Sequence, residues 1–225
     1  MKQIIEILLK ILDALLKPIE VVKDAVTTKT YRNKAILINA AKELGVLEWG
    51  NGSNPKVEKY LDHGARGDNK NSGLKDNTPW CAGLVAYVLE TAPGIIGTNP
   101  LENIGSTNSL MARSYEKWGK KVTNPLPGDI VTRYRSGINS GFGHVGFFLG
   151  WTSPSKSSYY CLGGNQNDSV NISTYKMNKG SNSGHSMFRR SSKHVPITLD
   201  MENELWDLAN RIINGEDVSE NATVV

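Results

Sequence analysis

The sequence predicts an α+β fold in which a helical half precedes an antiparallel sheet. Up to about residue 118 the apolar residues recur at helical spacing, whereas from residue 129 the spacing becomes strand-like, with turns rich in Gly, Asn and Ser. Helices followed by strands, without regular alternation of the two, are typical of an α+β domain. The chain has 225 residues, 39% of them hydrophobic, which is enough for one such domain with its own core and an additional segment.

A hydrophobic amphipathic helix is predicted over residues 1–28, ahead of this domain. Its apolar residues follow the three-and-four spacing of a heptad pattern, and Pro18 is expected to kink or divide the helix. Such an apolar surface must be covered in water. The possible partners are a second copy of the chain or the proteins of a larger assembly, a membrane surface, or the domain itself. Charges of alternating sign along the helix argue against a sensor of anionic lipid.

The domain is predicted to span residues 31–192 and to be followed by a C-terminal segment, 199–225. Its helices are expected over 34–44, 55–63, 80–91 and 107–118. Its strands are expected over 129–134, 143–150, 158–163, 170–175 and 186–190. The C-terminal segment is expected to form an amphipathic helix over 199–213 with a polar tail.

Cys81 is the candidate nucleophile, because it lies at the predicted start of a helix. Asp76 and Thr78 are candidate N-caps for that helix, and Pro79 suits its first turn. The positive end of a helix dipole favours a thiolate, and backbone N–H groups at this end can bind an oxyanion. The other cysteine, Cys161, lies in an apolar strand and is predicted to be a buried core residue.

His144 is the candidate base, and Asn165 is the candidate residue that orients its ring. His144 lies near the start of an apolar strand, and Asn165 follows two glycines at a predicted strand end, where its amide oxygen can accept a hydrogen bond from the ring. Gln166 is an alternative or additional partner. Asp129 is a weaker alternative, since it is also placed to cap the turn at Pro127 and Gly128. Cysteine, histidine and a third polar group together indicate nucleophilic acyl transfer.

Four residues are candidates for binding substrate near this site: Trp80, Gln166, Tyr134 and Trp151. The three aromatic residues are equally compatible with the core. No cofactor is predicted, and neither the cysteines nor the histidines have the spacing of metal ligands. A net charge of +4 suits a polyanionic surface but is too small to indicate nucleic-acid binding.

Over residues 35–190 the chain resembles a family of short phage and bacterial proteins in the CHAP and NlpC-type papain-like superfamily, which includes phage endolysins. The resemblance lies in the segments 41–48, 54–55, 76–82, 127–131, 143–147 and 163–166, and in Arg189. It implies a papain-like domain that hydrolyses amide bonds of peptidoglycan, with Cys81, His144 and Asn165 as the catalytic residues. The N-terminal helix is outside the usual domain of that family.

The resulting hypothesis is a phage-encoded peptidoglycan endopeptidase or amidase, with no signal peptide. We expect it in the virion or the host cytoplasm, acting at the cell wall from the periplasm, with residues 1–28 as the contact to virion proteins, to other copies or to a membrane. Two other functions are compatible with the sequence. One is a virion structural or spike-base protein that keeps the fold for assembly or wall binding. The other is a cysteine acyltransferase or amidotransferase that uses an amine in place of water.

Overall fold

The computed structural model describes residues 32–65, 73–92, 105–178, 183–191 and 197–218, and these form an α+β fold. A six-stranded antiparallel sheet has the strand order β1-β6-β2-β3-β4-β5. The α+β class predicted from the sequence is therefore confirmed. The amphipathic helix predicted for residues 1–28 lies outside the described residues.

The helical half contains α1 (32–41), α2 (Pro55–Gly64) and α3 (Cys81–Thr91). Asn54 caps α2, its side-chain oxygen accepting a hydrogen bond from the Lys56 N–H at 2.9 Å. α3 is apolar around most of its circumference, and eight of its eleven residues are buried. A helix with so little polar surface must lie inside the domain, and α3 packs between α2 and the sheet.

The predicted helix over 107–118 is wrong, because only Ala112–Lys117 is helical and it forms a 3-10 helix. Upstream of it, backbone N–H groups donate hydrogen bonds to nearby hydroxyl side chains and not to helical carbonyls. The Asn108 N–H donates to the Ser106 hydroxyl and the Met111 N–H to the Ser109 hydroxyl, while Asn108 adopts a left-handed conformation with φ of 52°. Such local side-chain hydrogen bonds compete with the helix.

The five predicted strands are present, together with a short edge strand that the sequence did not indicate. The strands are β1 (Lys120–Val122), β2 (Ile130–Tyr134), β3 (Gly143–Trp151), β4 (Ser158–Gln166), β5 (Ser169–Lys176) and β6 (Ser186–Arg190). β4 is three residues longer than predicted, and this difference determines the composition of the candidate site.

Each face of the sheet packs into its own apolar cluster. Val145, Phe147 and Leu149 of β3 belong to the main core, which they share with α3. Phe148, on the opposite face, belongs to a second cluster that also contains Cys161. Because side chains alternate along a strand, His144 lies on the face of Phe148, away from α3.

The C-terminal helix α4 (Leu199–Ile213) has the bounds predicted from the sequence. Thr198 caps it, with the hydroxyl accepting from the Met201 N–H. Its apolar stripe joins the main core through four buried residues: Leu205, Leu208, Ala209 and Ile212. Within the residues described, no helix is both long enough and apolar enough to cross a membrane.

Candidate active site

Cys81 is the first residue of α3, and its side chain is 4% exposed. Trp80 is the N-cap and provides no side-chain cap. The predicted N-caps are therefore wrong. Asp76 is engaged elsewhere, since its carboxylate accepts from the backbone N–H groups of Trp49 and Asn54 at 2.9 and 2.8 Å. The helix begins without a competing side chain at its end, so its first N–H groups are directed at the cysteine.

The backbone N–H of Val145, the residue after His144, is close enough to the Cys81 thiol to lower its pKa. Phe148, three residues further along β3, donates its N–H to Asp129 on the β2 side of the strand, at 2.8 Å. N–H direction alternates along a strand, so the Val145 N–H points to the opposite side, toward β4. Pairing between β3 and β4 starts only at Phe147 with Leu162. The Val145 N–H that acts on the Cys81 thiol therefore lies where β3 and β4 are not yet paired, one residue from His144.

Burial raises the pKa of the Cys81 thiol. The N–H groups of Val145, Ala82 and Cys81 itself act in the opposite direction, and so does the positive charge of Arg135. The same groups that favour a thiolate would stabilise negative charge forming on or near this sulfur during a reaction.

His144 is 3% exposed, and its Nε2 lies 3.0 Å from Oε1 of Gln166. Its other ring nitrogen, Nδ1, is buried and has no hydrogen-bond partner among the described residues. Burial lowers the pKa of His144 from 6.5 to about 4, and the charges of Arg135 and Arg133 act in the same direction, whereas the hydrogen bond to Gln166 raises it. The ring is therefore neutral at pH 7.

The surroundings of Gln166 determine which ring nitrogen of His144 carries the hydrogen. The Gln166 amide nitrogen donates to the backbone carbonyls of Asn171 at 2.7 Å and Gly163 at 3.2 Å, so its Oε1 is the atom that faces the ring. Oε1 also accepts from the Tyr175 hydroxyl at 2.9 Å. An amide oxygen can only accept, so His144 Nε2 is the donor and Nδ1 carries the lone pair.

The ring partner is thus Gln166 and not Asn165, the residue predicted to orient His144. Strict alternation would bring residue 165 to the same face as Gly163. However, Gly163 pairs with Asn171 and Gln166 pairs with Ser169, so β4 advances by three residues where β5 advances by only two. This is a β-bulge, and Asn165 lies within it in a left-handed conformation with φ of 55°. The extra residue moves the next position, Gln166, onto the face of His144.

Of the predicted substrate-binding residues, Trp80 and Tyr134 are buried, at 0% and 4% exposure. The Trp80 ring packs against Gly164 and its Nε1 donates to Glu48 at 2.7 Å, so Trp80 is a core residue that supports the site. Trp151 is half-buried and lines a cavity of about 830 Å³ beside Trp206 of α4, a cavity lined by none of Cys81, His144 and Gln166. Gln166 is buried and engaged with the ring.

Sequence reasoning missed Tyr175, Arg133 and Arg135. Tyr175 is hydrogen-bonded to Gln166, and its ring centroid lies 5.6 Å from that of His144. Arg133 is directly opposite His144 in the pairing of β2 with β3. The sequence contained a signal for Arg133, because alternation along the strand places it on the opposite face of the sheet from Ile130 and Thr132. The register that brings it to His144 became evident only in the sheet.

Comparison of the chain with protein-family models, with curated proteins and with solved structures gave no match. Among the described residues there is also no group of His, Cys, Asp and Glu that could hold a metal ion. Cys161 is buried, as predicted from the sequence, and it forms no disulfide.

Proposed function

We propose that this chain is a papain-like cysteine hydrolase that cleaves an amide bond of peptidoglycan. One observation carries the chemistry: Cys81 begins a helix, and its thiol is acted on by the N–H of Val145, the residue after His144, whose ring has Nδ1 unpaired among the described residues while Gln166 holds Nε2. Cys81, His144 and Gln166 come from three separate elements, α3, β3 and β4, and Nδ1 of His144 is left without a hydrogen-bond partner, Cys81 included, among the described residues. The substrate class rests on the resemblance of the segments 76–82, 143–147 and 163–166 to those of peptidoglycan hydrolases.

In this mechanism His144 Nδ1 accepts the thiol proton as the Cys81 sulfur attacks the amide carbonyl carbon. The negative charge that develops on the carbonyl oxygen is stabilised by backbone N–H groups at the start of α3. The tetrahedral intermediate collapses, the C–N bond breaks, and the leaving amine takes the proton from Nδ1. A water molecule then gives a proton to Nδ1 and attacks the thioester, which releases the carboxylic acid and regenerates the thiol.

Because the pKa of His144 is lowered and that of Cys81 is raised, both side chains are uncharged before the reaction. His144 therefore acts as a general base on a thiol, and the proton transfer accompanies the attack. Arg135 assists because its charge favours the thiolate as the proton leaves.

The test uses purified peptidoglycan with wild-type protein, the Cys81→Ala variant and the Cys161→Ala variant, followed by mass spectrometry of the released fragments. Cys161 is a matched control, since it is also buried and forms no disulfide but belongs to the second cluster. We expect fragments with new amine ends from wild type and Cys161→Ala, and none from Cys81→Ala. Release by Cys81→Ala would contradict the mechanism. Absence of release by folded wild-type protein would favour a structural role, and products joined to an added amine would indicate a transferase.

A further inference from the structure

Two arginines flank the His144 side of the candidate site. Arg133 is opposite His144 in register, and its guanidinium carbon lies 5.0 Å from the centroid of the Tyr175 ring. Arg135 is the first residue after β2 and is exposed, and its backbone N–H donates to the Phe142 carbonyl just before β3. Cross-strand partners share a face, so Arg133 lies on the face that carries His144, and Arg135, two residues further along, acts on the same ring electrostatically.

Neither arginine has a carboxylate partner among the described residues. Arg113 and Arg190, by contrast, are paired with Glu116 and Asp129. Arg133 is only partly exposed, and its Nε is buried without a hydrogen-bond partner in the described part of the chain. A buried donor without an acceptor is costly, and a guanidinium group offers a planar fork that matches a carboxylate.

The charges of both arginines act on the candidate catalytic groups. Arg135 acts electrostatically on both Cys81 and His144, and Arg133 acts on His144. A substrate whose scissile amide lies at Cys81 would pass these two cations, which have no carboxylate partner among the described residues. Peptide stems of peptidoglycan carry free carboxylates close to their amide bonds, so they have the group that these cations would bind.

We propose that Arg133 and Arg135 form a subsite that binds a free carboxylate of the substrate adjacent to the scissile amide. The inference rests on the proposed function and narrows the substrate to a peptide stem with an unmodified carboxylate. Amidation of that carboxylate removes its charge and leaves the two arginines without an anion.

Binding provides a test that does not require hydrolysis. In the Cys81→Ala background, calorimetry compares a soluble stem tetrapeptide that has free carboxylates with the same peptide carrying carboxamides in their place. We expect the carboxylate peptide to bind about ten-fold or more tightly, in keeping with a charge-assisted hydrogen bond. Arg135→Gln should bring the two affinities together, and Arg133→Lys, which keeps the charge but loses the fork, should reduce the preference. Arg211→Gln on α4 removes one positive charge elsewhere and should keep the preference.

Hydrolysis of the same two peptides separates this inference from the proposed function. The readout is the ratio of their kcat/KM values, in which any effect of Arg135→Gln on His144 itself cancels. Cleavage of both peptides at equal kcat/KM, or equal affinity in the Cys81→Ala background, would overturn the subsite and leave the hydrolase intact. No measurable binding of the carboxylate peptide at millimolar concentration would overturn the subsite as well. Preferential binding with no cleavage by protein containing Cys81 would support the subsite and reject the hydrolase.

Discussion

At the scale of single residues, Gln166 determines the proton chemistry of His144. Its Oε1 accepts from Nε2, and its amide nitrogen is held by backbone carbonyls, so the ring presents Nδ1 in the unprotonated form. A neutral amide stabilises the imidazolium only modestly, and burial therefore keeps the pKa of His144 near 4. Because a base works only when it is unprotonated, kcat/KM should decline only as the pH falls toward about 4.

Gln166→Glu tests this relation, since it exchanges the amide for a carboxylate of the same shape. A negative charge at Nε2 favours the imidazolium and raises the pKa of His144, so the acid limb of kcat/KM should move up from about 4 toward the ordinary value of 6.5. Gln166→Met removes the acceptor without adding charge, and the acid limb should then stay at or below its wild-type position, with kcat reduced roughly ten-fold through loss of the ring's hydrogen bond. If Gln166 had only a structural role, the acid limb of Gln166→Glu would stay where it is in wild type.

At the scale of the elements, Gly164 allows α3 and β4 to approach each other closely. A Cβ at this position would lie 2.7 Å from Cε3 of Trp80 and 3.0 Å from Cδ2 of Leu84. Both neighbours are fully buried, so they have little room to move. Gly164→Ala should therefore lower the free energy of unfolding by about 1–3 kcal/mol. It should also shift the start of α3, which carries Cys81, relative to β4.

Urea denaturation measures this effect, with Gly50→Ala as the matched substitution. A Cβ at Gly50 would meet nothing within 4 Å, and the backbone there does not require glycine. We expect its denaturation midpoint to stay the same or rise slightly, because alanine restricts the unfolded chain. Equal midpoints for both variants would show that the close packing at Gly164 does not support the site.

The same elements show how far the sequence could predict this molecule. β6 and α4 have the predicted bounds, because each has a regular apolar pattern that ends at clear polar or turn signals. The segment over 107–118 was mispredicted because hydroxyl side chains take over its backbone N–H groups. Cys81 and His144 were correctly placed on a helix start and a strand, whereas Gln166 replaced Asn165 as the ring partner because a one-residue bulge changes which side chain faces His144. Alternation is visible in a sequence, but a bulge depends on the pairing of two strands.

At the scale of the whole molecule, the buried carboxylate of Asp129 joins α1 to the sheet through hydrogen bonds. Asp129, 1% exposed, accepts from Arg190 of β6 at 2.6 and 2.8 Å and from the Leu126 N–H at 2.8 Å. Asn33 of α1 donates to the same carboxylate at 3.2 Å and to the Pro127 carbonyl at 2.8 Å. The turn-capping role considered for Asp129 is thus confirmed, and its carboxylate also joins α1, β2 and β6.

Asp129→Ala should lower the free energy of unfolding by about 3–5 kcal/mol, since it leaves the Arg190 guanidinium partly buried without its partner. That is a large fraction of the stability of a typical domain. The double variant Asp129→Leu with Arg190→Met removes both charges, and we expect it to be more stable than Asp129→Ala alone. Lys75→Ala, which breaks an exposed pair with Glu58, should leave the urea midpoint nearly unchanged. If the double variant were no more stable than Asp129→Ala, the hydrogen bonds that Asp129 accepts from Asn33 and Leu126, and not the ion pair, would account for its contribution to stability.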